Sequence, residues 1–493
     1  MKLLSELIKD FDHEILKGSE DIEISDFVTD NRKITSGSVF VCIKGANFDG
    51  HTVIAEAIAM GARAVIVERD IDMDICMGVT VVKCASTREA MAHMACAWND
   101  YPSRKLTMIG ITGTKGKTTT TYLIKSILEN AGRKVGLIGT IEMIIGDEHI
   151  PAKNTTPEST VLQETLKKMA EAGCDTVVME VSSQALMLHR TLGIDFNIGI
   201  FTNIEPDHIG PNEHTSFEHY LECKSKLFKQ CRIGILNSDD KHMDDVLNGH
   251  TCKVVTYAIA NEADYNASDI MYYSDKGVLG AKFNALYKKD EETLSLSADI
   301  NMPGVFSVYN ALCAIAVCKN LDIDDESIKK CLLMAKVKGR IEMVPVSDEY
   351  TLIIDYAHNA MALESLLSTL KAYNPARLVC LFGCGGNRSK DRRFEMGRVS
   401  GNMADLTIIT SDNPRFEDPL DIMKDIRMGI SETKGRYIEI PDRREAIRYV
   451  IETAQRGDVI VLAGKGHEDY QEICGQKYPM DEREIIREII GNS

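Results

Sequence analysis

Short apolar runs recur along the chain, and each is followed by a polar or glycine-containing turn and then by an amphipathic stretch. This alternation predicts strands that alternate with helices, and therefore an α/β fold built on parallel sheets. The predicted strands include 37–43, 62–68, 105–112, 175–181, 196–203, 350–359, 377–382, 406–410 and 459–463. The predicted helices include 1–10, 52–60, 119–130, 217–228 and 311–318.

The length of the chain predicts more than one domain. Its 493 residues are too many for one hydrophobic core, since a domain typically has about 150 residues. The alternation of elements restarts near residues 101 and 339, which gives predicted domains of 1–100, 101–338 and 339–493. We expect a small N-terminal α/β domain, a central P-loop mononucleotide-binding domain and a C-terminal Rossmann-like domain.

The segment Thr112–Thr118 predicts a phosphate-binding loop between a strand and a helix. Gly113 and Gly116 leave room for backbone N–H groups to approach phosphate oxygens, and the helix N-terminus adds its positive dipole end. Lys117 would reach the terminal phosphates, and Thr118 would hold Mg²⁺. The glycine that usually opens such a loop is absent. A tight turn carrying a surface lysine is the alternative interpretation.

Three polar residues downstream of this loop are candidates for metal chemistry. Glu180 ends a buried strand, and His208 follows the exit of the next strand. A carboxylate at the end of a strand beside a phosphate loop is placed to bind Mg²⁺ directly or through water. Glu180 and His208 would form half of a metal site, or each would be a loop residue held by hydrogen bonds. For Lys224, composition alone favours a solvated helix lysine.

Polar loops follow three strands of the predicted third domain: 383–388, 411–415 and 464–468. Because the carboxyl ends of parallel strands meet at one edge of a sheet, these loops are expected to share a ligand site. The glycines at 383–386 resemble a dinucleotide turn only superficially, since no acidic residue follows a second strand at the required place.

Charge and composition exclude several classes of partner. The formal net charge of −17 disfavours nucleic acid or an anionic membrane as the main partner. The 14 cysteines form no paired framework, and no apolar run has the length of a membrane span, so we expect a cytoplasmic protein without membrane insertion. Anionic substrates would then have to be met by local basic residues and helix N-termini.

Several motifs occur in an order that closely resembles the Mur ligase family, the cytoplasmic amide-forming enzymes of peptidoglycan synthesis. They are Thr112–Thr118, Asn154–Pro157, Glu180–Ser183, His189–Arg190 and Asp355–His358. The resemblance covers nearly the whole chain. It implies an ATP-dependent ligase with Mg²⁺ as cofactor, ATP as co-substrate, a uridine-binding N-terminal domain and a UDP-muramoyl dipeptide as substrate. We expect a monomer with no nucleic-acid partner.

The resemblance also implies a role for each matching residue. ATP would contact Gly113, Thr114, Lys115, Gly116, Lys117, Thr118, Thr119, Asn310, Arg340, Asp355 and His358. The UDP-muramoyl peptide would contact Asn31, Arg32, Ala46, Asn47, Asn154, Thr155, Thr156, Ser182, Ser183 and Arg190. Magnesium would be held by Thr118, Glu180, His208 and Lys224, the last modified to N6-carboxylysine. The catalytic residues would be Lys117, Glu180, His208 and Lys224. The incoming amino acid would contact Arg388, Asp412, Asn413, Pro414, Arg415, Gly464 and Glu468.

Arg415 is the residue that distinguishes between candidate amino acids. An amino acid with a distal carboxylate needs a cation, and the guanidinium fork fits a carboxylate with two hydrogen bonds. The distal ammonium of L-lysine would be repelled there. In the family this loop pattern is associated with meso-diaminopimelate, which we therefore expect as the acceptor, with L-lysine as the alternative.

Three other functions remain open at this point. A folylpolyglutamate synthetase shares the ATP loop but needs neither the loop at 412–415 nor the N-terminal polar clusters. A nucleotide-gated binding protein would have no need for three charged loops in one domain. A kinase would use the same phosphate loop and release a stable phosphorylated product.

Overall fold

The computed structural model describes residues 1–45, 48–210, 213–289 and 292–491, and it separates into two compact units. The first unit comprises Met1–Asp264 with Ala316–Leu321, and the second comprises Tyr265–Ile315 with Asp322–Ser493. Both contain helices and largely parallel sheets, so the predicted α/β class is confirmed. The predicted domain boundaries near residues 100 and 338 stay predictions.

The first unit contains strands β1 to β15 and helices α1 to α8. The strands are β1 Lys2–Leu3, β2 His13–Lys17, β3 Glu23–Ile24, β4 Asp26–Val28, β5 Ser38–Val41, β6 Ala64–Val67, β7 Thr80–Cys84, β8 Thr107–Thr112, β9 Val135–Ile138, β10 Glu142–Ile145, β11 Glu148–Pro151, β12 Thr176–Glu180, β13 Phe196–Phe201, β14 Cys231–Asn237 and β15 Lys253–Ala258. The helices are α1 Leu4–Ile8, α2 Ile54–Ala59, α3 Thr87–Trp98, α4 Lys117–Asn130, α5 Ser159–Glu171, α6 Ser183–Met187, α7 Phe217–Ser225 and α8 Met243–Val246. Short 3₁₀ turns occur at Asn31–Lys33, Gly50–Val53, Pro102–Lys105 and Lys226–Lys229.

Two larger sheets organise the first unit. One has the order β2-β7-β6-β5-β4, in which β4 to β7 are parallel. The other includes the order β11-β10-β9-β12-β8-β13-β14-β15, in which β8, β9 and β12 to β15 are parallel. In this second sheet β8 is central, because β12 and β13 flank it. Its side chains are buried, as expected of a strand covered on both faces. Residues that follow β8, β12 and β13 therefore meet at one edge.

The second unit contains β16 to β26 and α10 to α15, while α9 (Val305–Asn320) has residues assigned to each unit. Its strands are β16 Tyr265–Asp275, β17 Val278–Lys289, β18 Glu292–Ile300, β19 Glu342–Val344, β20 Thr351–Asp355, β21 Arg377–Phe382, β22 Leu406–Ile409, β23 Tyr437–Glu439, β24 Asp458–Ala463, β25 Tyr470–Ile473 and β26 Gln476–Pro479. Its helices are α10 Asp325–Met334, α11 Ala360–Lys371, α12 Asp391–Met403, α13 Pro419–Ser431, α14 Arg443–Glu452 and α15 Glu482–Gly491.

The main sheet of the second unit has the order β19-β20-β24-β21-β22-β23, parallel from β20 onward. Apolar side chains on its two faces form separate core clusters with the flanking helices. Because β24 lies between β20 and β21, the loop after β24 is next to the loops after β20 and β21. Strands β16 to β18 form an antiparallel meander, and β25 pairs with β26.

Each strand predicted from the sequence overlaps an observed strand, whereas several helices begin or end at residues other than those predicted. The helix predicted at 119–130 begins two residues earlier, at Lys117. The one predicted at 217–228 is α-helical only to Ser225 and continues as a 3₁₀ turn. The helix predicted at 52–60 likewise begins as a 3₁₀ turn, and the N-terminal one is limited to Leu4–Ile8. In the described part of the chain, no helix combines the length and apolar character needed to cross a membrane.

Candidate active site

The predicted phosphate loop joins the buried end of β8 to the start of α4. Gly113 and Gly116 adopt φ values of +147° and +87°, which favour glycine. A Cβ atom on Gly113 would lie 2.0 Å from Oγ1 of Thr202, so a larger residue does not fit there. The loop is therefore a close-packed backbone turn that leads into a helix N-terminus, the arrangement expected for anion binding.

The end of the neighbouring strand β13 holds this loop in place. The backbone oxygen of Asn203 accepts a hydrogen bond from the Thr114 N–H at 2.8 Å, and its side-chain oxygen accepts one from the Lys115 N–H at 2.9 Å. The Thr202 hydroxyl donates to the Lys115 carbonyl at 2.7 Å. Sequence reasoning gave Thr202 and Asn203 no role, although both are polar residues at the exit of a predicted strand.

Two lysine side chains converge on one carbonyl of the loop. The Lys117 ammonium donates to the carbonyl oxygens of Gly113 at 2.8 Å and Thr114 at 3.0 Å. Lys224, on α7, donates to the same Gly113 oxygen at 2.9 Å and is 1% exposed. Burial, and next the charge of Lys117, lower the pKa of Lys224 well below its ordinary value. The interpretation of Lys224 as a solvated lysine is therefore wrong.

Glu180 lies beside the first turn of α4. It is 1% exposed, and its carboxylate oxygens accept from the Thr118 hydroxyl at 3.0 and 3.1 Å. The Thr140 N–H and hydroxyl donate to the same carboxylate at 2.8 and 3.0 Å. A carboxylate and a hydroxyl at this spacing are hard oxygen donors of the kind that Mg²⁺ prefers, so Thr118 and Glu180 fit the predicted metal.

His208 is placed differently from Glu180 and Lys224. Its side chain is 57% exposed, and its ring nitrogens lie 3.4 Å from a Glu213 oxygen and 3.7 Å from an Asp207 oxygen. Its backbone is left-handed, with φ +55°. In this structure the polar contacts of the His208 ring are therefore with its own loop.

Six of the ten residues predicted for the UDP-muramoyl peptide lie near the end of β12. The Thr156 hydroxyl donates to the Glu180 carbonyl at 2.8 Å and accepts from the Ser182 N–H at 3.0 Å. The Arg190 guanidinium donates to the Thr156 carbonyl at 3.0 Å and pairs with Glu158 at 2.6 Å. The contacts of their neighbours lie in the same region: Thr155 with Thr140 at 3.1 Å, and Ser183 with His214 at 2.8 Å, while Asn154 is exposed.

The N-terminal cluster presents two exposed cations, Arg32 and Lys33. Asp30 accepts hydrogen bonds from Arg32 through the backbone N–H, Nε and a terminal nitrogen at 3.1, 2.9 and 2.8 Å. The hydrogen bond from Arg32 lowers the pKa of Asp30 to about 2. The Arg32 side chain is 83% exposed beside Asn31. The predicted contacts Ala46 and Asn47 lie outside the described residues.

In the second unit, the predicted ATP segment surrounds the end of β20. The buried Asp355 carboxylate accepts from the backbone N–H groups of Ile341 and Ala357, both at 2.8 Å, and burial raises its pKa. The Arg340 guanidinium lies 5.0 Å from the centre of the Tyr356 ring. His358, two residues on, is exposed. Asn310 is on α9, away from this turn in the sequence.

The loops after β22 and β24 meet around a buried lysine that sequence reasoning missed. Lys465 is fully buried and donates to the Asn413 side-chain oxygen at 3.0 Å and the Glu468 carboxylate at 3.3 Å. The Asn413 amide donates to the same Glu468 oxygen at 2.8 Å. An Asp412 oxygen lies 4.0 Å from the lysine nitrogen. Gly464, with φ +106°, leaves room for Asp412. In the sequence, a lysine between two glycines at the end of a predicted strand could have indicated this residue.

Arg415 is held in one orientation at the rim of this cluster. Its Nε donates to Glu472 at 3.1 Å, and a terminal nitrogen donates to the Gly386 carbonyl at 2.7 Å. Its backbone has a φ of +54° and pairs with strand β25 through Glu472. Pro414 precedes it and is buried, whereas Arg388 is exposed. The structure thus brings together the predicted acceptor residues from 412–415, 464 and 468.

Models of known protein families match most of the chain. Residues 111–318 match the Mur ligase middle domain, residues 339–466 the Mur ligase glutamate ligase domain, and residues 23–99 the Mur ligase family catalytic domain. A UDP-N-acetylmuramoyl-L-alanyl-D-glutamate–2,6-diaminopimelate ligase of Caldanaerobacter subterraneus is 45% identical, with 99% of each chain covered. The chain belongs to the Mur ligase family. A ligase of the same name from Clostridium perfringens is 41% identical to this Mur ligase, again over 99% of each chain.

Solved structures agree with this assignment. A UDP-N-acetylmuramoyl-L-alanyl-D-glutamate–2,6-diaminopimelate ligase structure superposes on this Mur ligase with a TM-score of 0.73 and 30% identity, covering 100% of this chain and 99% of the other. A folylpolyglutamate synthase of Mycobacterium tuberculosis reaches a TM-score of 0.61 at 15% identity, covering 83% and 95%. At that identity the second likeness shows only a shared fold.

Proposed function

We propose that this Mur ligase uses ATP to join meso-diaminopimelate to the D-glutamate of UDP-N-acetylmuramoyl-L-alanyl-D-glutamate. The observation that carries the proposal is the name shared by relatives that are 40 to 45% identical along the whole chain. The local observation that supports it is the oriented arginine in the 412–415 loop, since the acceptor's distal carboxylate needs such a cation.

The phosphate loop would bind the ATP phosphates. Asn203 already takes the N–H groups of Thr114 and Lys115, so the N-terminus of α4 supplies the positive partial charge at this turn. The Lys117 ammonium donates to two loop carbonyls and lies beside the same turn. On ATP binding it would exchange a carbonyl for a phosphate oxygen. Such fixed donors stabilise the charge that develops during phosphoryl transfer.

Thr118 and Glu180 would hold Mg²⁺, with further ligands from Lys224 and His208. Bound there, Mg²⁺ would neutralise charge on the transferred phosphoryl group. The low pKa of Lys224 favours its neutral amine, the form that attacks CO₂. In that reaction an N–C bond forms and a proton leaves to solvent, giving an anionic carbamate suited to a hard cation. His208 would have to turn away from Glu213 to join this set.

The ligation then proceeds in two steps. The carboxylate oxygen of the D-glutamate attacks the γ-phosphorus, ADP leaves, and an acyl phosphate forms. The amine of the amino acid next attacks the acyl carbon, phosphate leaves, and the new amide nitrogen loses a proton. In this proposal, Arg190, Thr156 and Ser182 position the muramoyl peptide, and Arg32 contacts the uridine diphosphate.

The acceptor residues would bind both charged groups at the distal end of diaminopimelate. Arg415 would bind the distal carboxylate, and Glu468 and Asp412 would accept hydrogen bonds from the distal ammonium. Lys465 fixes Glu468 through a 3.3 Å contact, so this acceptor carboxylate is already oriented without a ligand. A guanidinium and carboxylates that are already oriented favour an amino acid whose distal end carries both a carboxylate and an ammonium group.

The test is ATP-dependent phosphate release by the purified full chain. The assay contains Mg²⁺ and UDP-N-acetylmuramoyl-L-alanyl-D-glutamate, with meso-diaminopimelate or L-lysine as acceptor, and the product is identified by mass spectrometry. We expect an amide product with diaminopimelate. Lys117→Met should abolish it, whereas Lys168→Met, at a 58% exposed position on α5, should not. Release of a stable phosphorylated peptide, or no product with either acceptor, would overturn the proposal.

A further inference from the structure

A group of histidine and cysteine side chains lies at the start of α7, outside the residues given roles above. His214 precedes the helix, and His219 and Cys223 are within it. One donor atom from each of the three lies within 4.8 Å of the donor atoms of the other two. His219 and Cys223 are four residues apart, so they occupy the same face of the helix.

The most buried nitrogen of this group has no partner. His214 is 1% exposed; its Nε2 contacts the Ser183 hydroxyl at 2.8 Å, whereas its Nδ1 is buried and has no hydrogen-bond partner among the described residues. A buried polar atom without a partner destabilises the fold unless something binds it. A ring fixed through one nitrogen with the other free is the usual state of a metal-binding histidine.

The other two side chains also offer donor atoms. The Cys223 side chain is buried, with 1% of the residue exposed. His219 Nδ1 lies 3.2 Å from the Thr215 hydroxyl and 3.3 Å from the Thr215 N–H. Because the Thr215 N–H can only donate, the Nδ1 of His219 offers its lone pair there, and a metal would take this lone pair in exchange for that hydrogen bond. Two imidazole nitrogens and one thiolate form a ligand set that suits zinc and disfavours magnesium.

We propose that His214, His219 and Cys223 form a binding site for a zinc-type divalent transition metal, separate from the magnesium site assigned to Thr118 and Glu180. Metal binding would form two metal–nitrogen bonds and one metal–sulfur bond, and the Cys223 thiol would release its proton to solvent. A fourth position would remain for water. No oxidant or reductant is required.

The spacing of the donor atoms is compatible with tetrahedral zinc. Bonds of about 2.0 Å to nitrogen and about 2.3 Å to sulfur place ligand atoms roughly 3.5 Å apart. The donor atoms, all within 4.8 Å of one another, therefore have to approach by at most about 1.3 Å. Side-chain rotation at His219, which is only half-buried, can supply part of this movement.

The site would fix the segment before α7 to the helix. The described part of that segment contains His208 and Glu213, and the His214 ring also touches Ser183, the first residue of α6. A metal bound by His214 would therefore connect the His208 segment to α7, the helix that carries Lys224. The inference does not depend on which amino acid the enzyme ligates, and its test is spectroscopic.

Cobalt titration of the chelator-treated full chain tests the proposal. Co²⁺ replaces zinc in such sites and gives a thiolate-to-cobalt charge-transfer band, together with the intense visible bands of four-coordinate cobalt. We expect saturation at one equivalent, persistence of the bands in excess Mg²⁺, and their loss when Zn²⁺ is added. Cys223→Ser should remove the charge-transfer band. Cys174→Ser, which changes another buried cysteine of the first unit, should keep it.

The histidines are tested in the same way. His219→Asn should weaken cobalt binding at least tenfold, whereas His242→Asn, at a histidine outside the group, should leave it unchanged. Circular dichroism and a thermal melt of each variant check that it is folded. Absence of the charge-transfer band in the folded wild type would overturn the proposal. So would a band that survives Cys223→Ser.

Discussion

Removing the guanidinium of Arg415 should change which amino acid the enzyme accepts. Arginine has five N–H bonds, and in the structure Glu472 and the Gly386 carbonyl each take one. Three remain to face a ligand, enough for a two-bond contact with a carboxylate. Each hydrogen bond between charged groups contributes about 1.5 to 3 kcal/mol. The side chain is 23% exposed, so we take about 3 to 4 kcal/mol for the pair of bonds.

That free energy corresponds to a loss of about 100- to 1,000-fold in kcat/KM for diaminopimelate in Arg415→Ala. Lysine lacks the distal carboxylate, so its kcat/KM should stay constant or rise. The assay is phosphate release with each acceptor at subsaturating concentration. Arg398→Ala is the matched control, because Arg398 is a half-exposed arginine of the same unit that pairs with Glu432.

The ratio of the two kcat/KM values shows whether Arg415 binds the distal carboxylate. An Arg415→Ala enzyme that keeps the wild-type preference would show that Arg415 does not bind the distal carboxylate. Glu472→Gln refines the test, because glutamine keeps an acceptor for Nε and removes only the charge. If Glu472 merely orients Arg415, this variant should keep the preference and change kcat/KM by less than about tenfold.

Three further changes test other parts of the site. Lys465→Met removes a buried cation from beside Glu468 and should lower the free energy of unfolding by about 3 to 5 kcal/mol in urea titrations; an unchanged midpoint would contradict the pairing. Thr118→Val should lower kcat/KM about 100-fold in the phosphate assay, with most activity kept in Thr118→Ser. In CO₂-free buffer Lys224 is not carbamylated. Between its depressed native pKa and about pH 10.4, the Lys224 amine is protonated in the unfolded chain and neutral in the native state. Wild-type stability should therefore rise with pH there by up to about 1.4 kcal/mol per pH unit relative to Lys224→Met, measured by urea unfolding across that range.

Strand positions followed from the sequence because buried parallel strands are apolar along their whole length. Strand β21 has the predicted bounds, and β24 begins one residue early. The ends of helices were harder to predict from the sequence. Leu227 and Phe228 are buried, and their spacing fits the apolar face of α7, yet the backbone there has changed to a 3₁₀ turn. A hydrophobic period shows which residues are buried, but the backbone hydrogen bonds decide where a helix ends.

The parts of the site that sequence reasoning missed depend on pairing between distant residues. Asn203 holds the phosphate loop across 88 residues, and Lys465 holds Asn413 across 52. Local pattern does not reveal such partners. The loop at 113–118 was predictable because its glycines, lysine and threonines are adjacent in the chain. His208 differs from the other predicted ligands, because its ring contacts Asp207 and Glu213 of its own loop.

Two buried lysines show why residue type alone does not assign chemistry. Lys224 donates to a carbonyl, lies 4.5 Å from the Tyr220 ring centre and is near the charge of Lys117, so burial favours its neutral amine. Lys465 is equally buried, but it contacts the Glu468 carboxylate and is near Asp412, which compensate a positive charge. The first environment favours a nucleophile that reacts with CO₂, and the second favours a fixed cation that orients an acceptor site. Partners supplied by the fold therefore separate a modifiable lysine from a structural one.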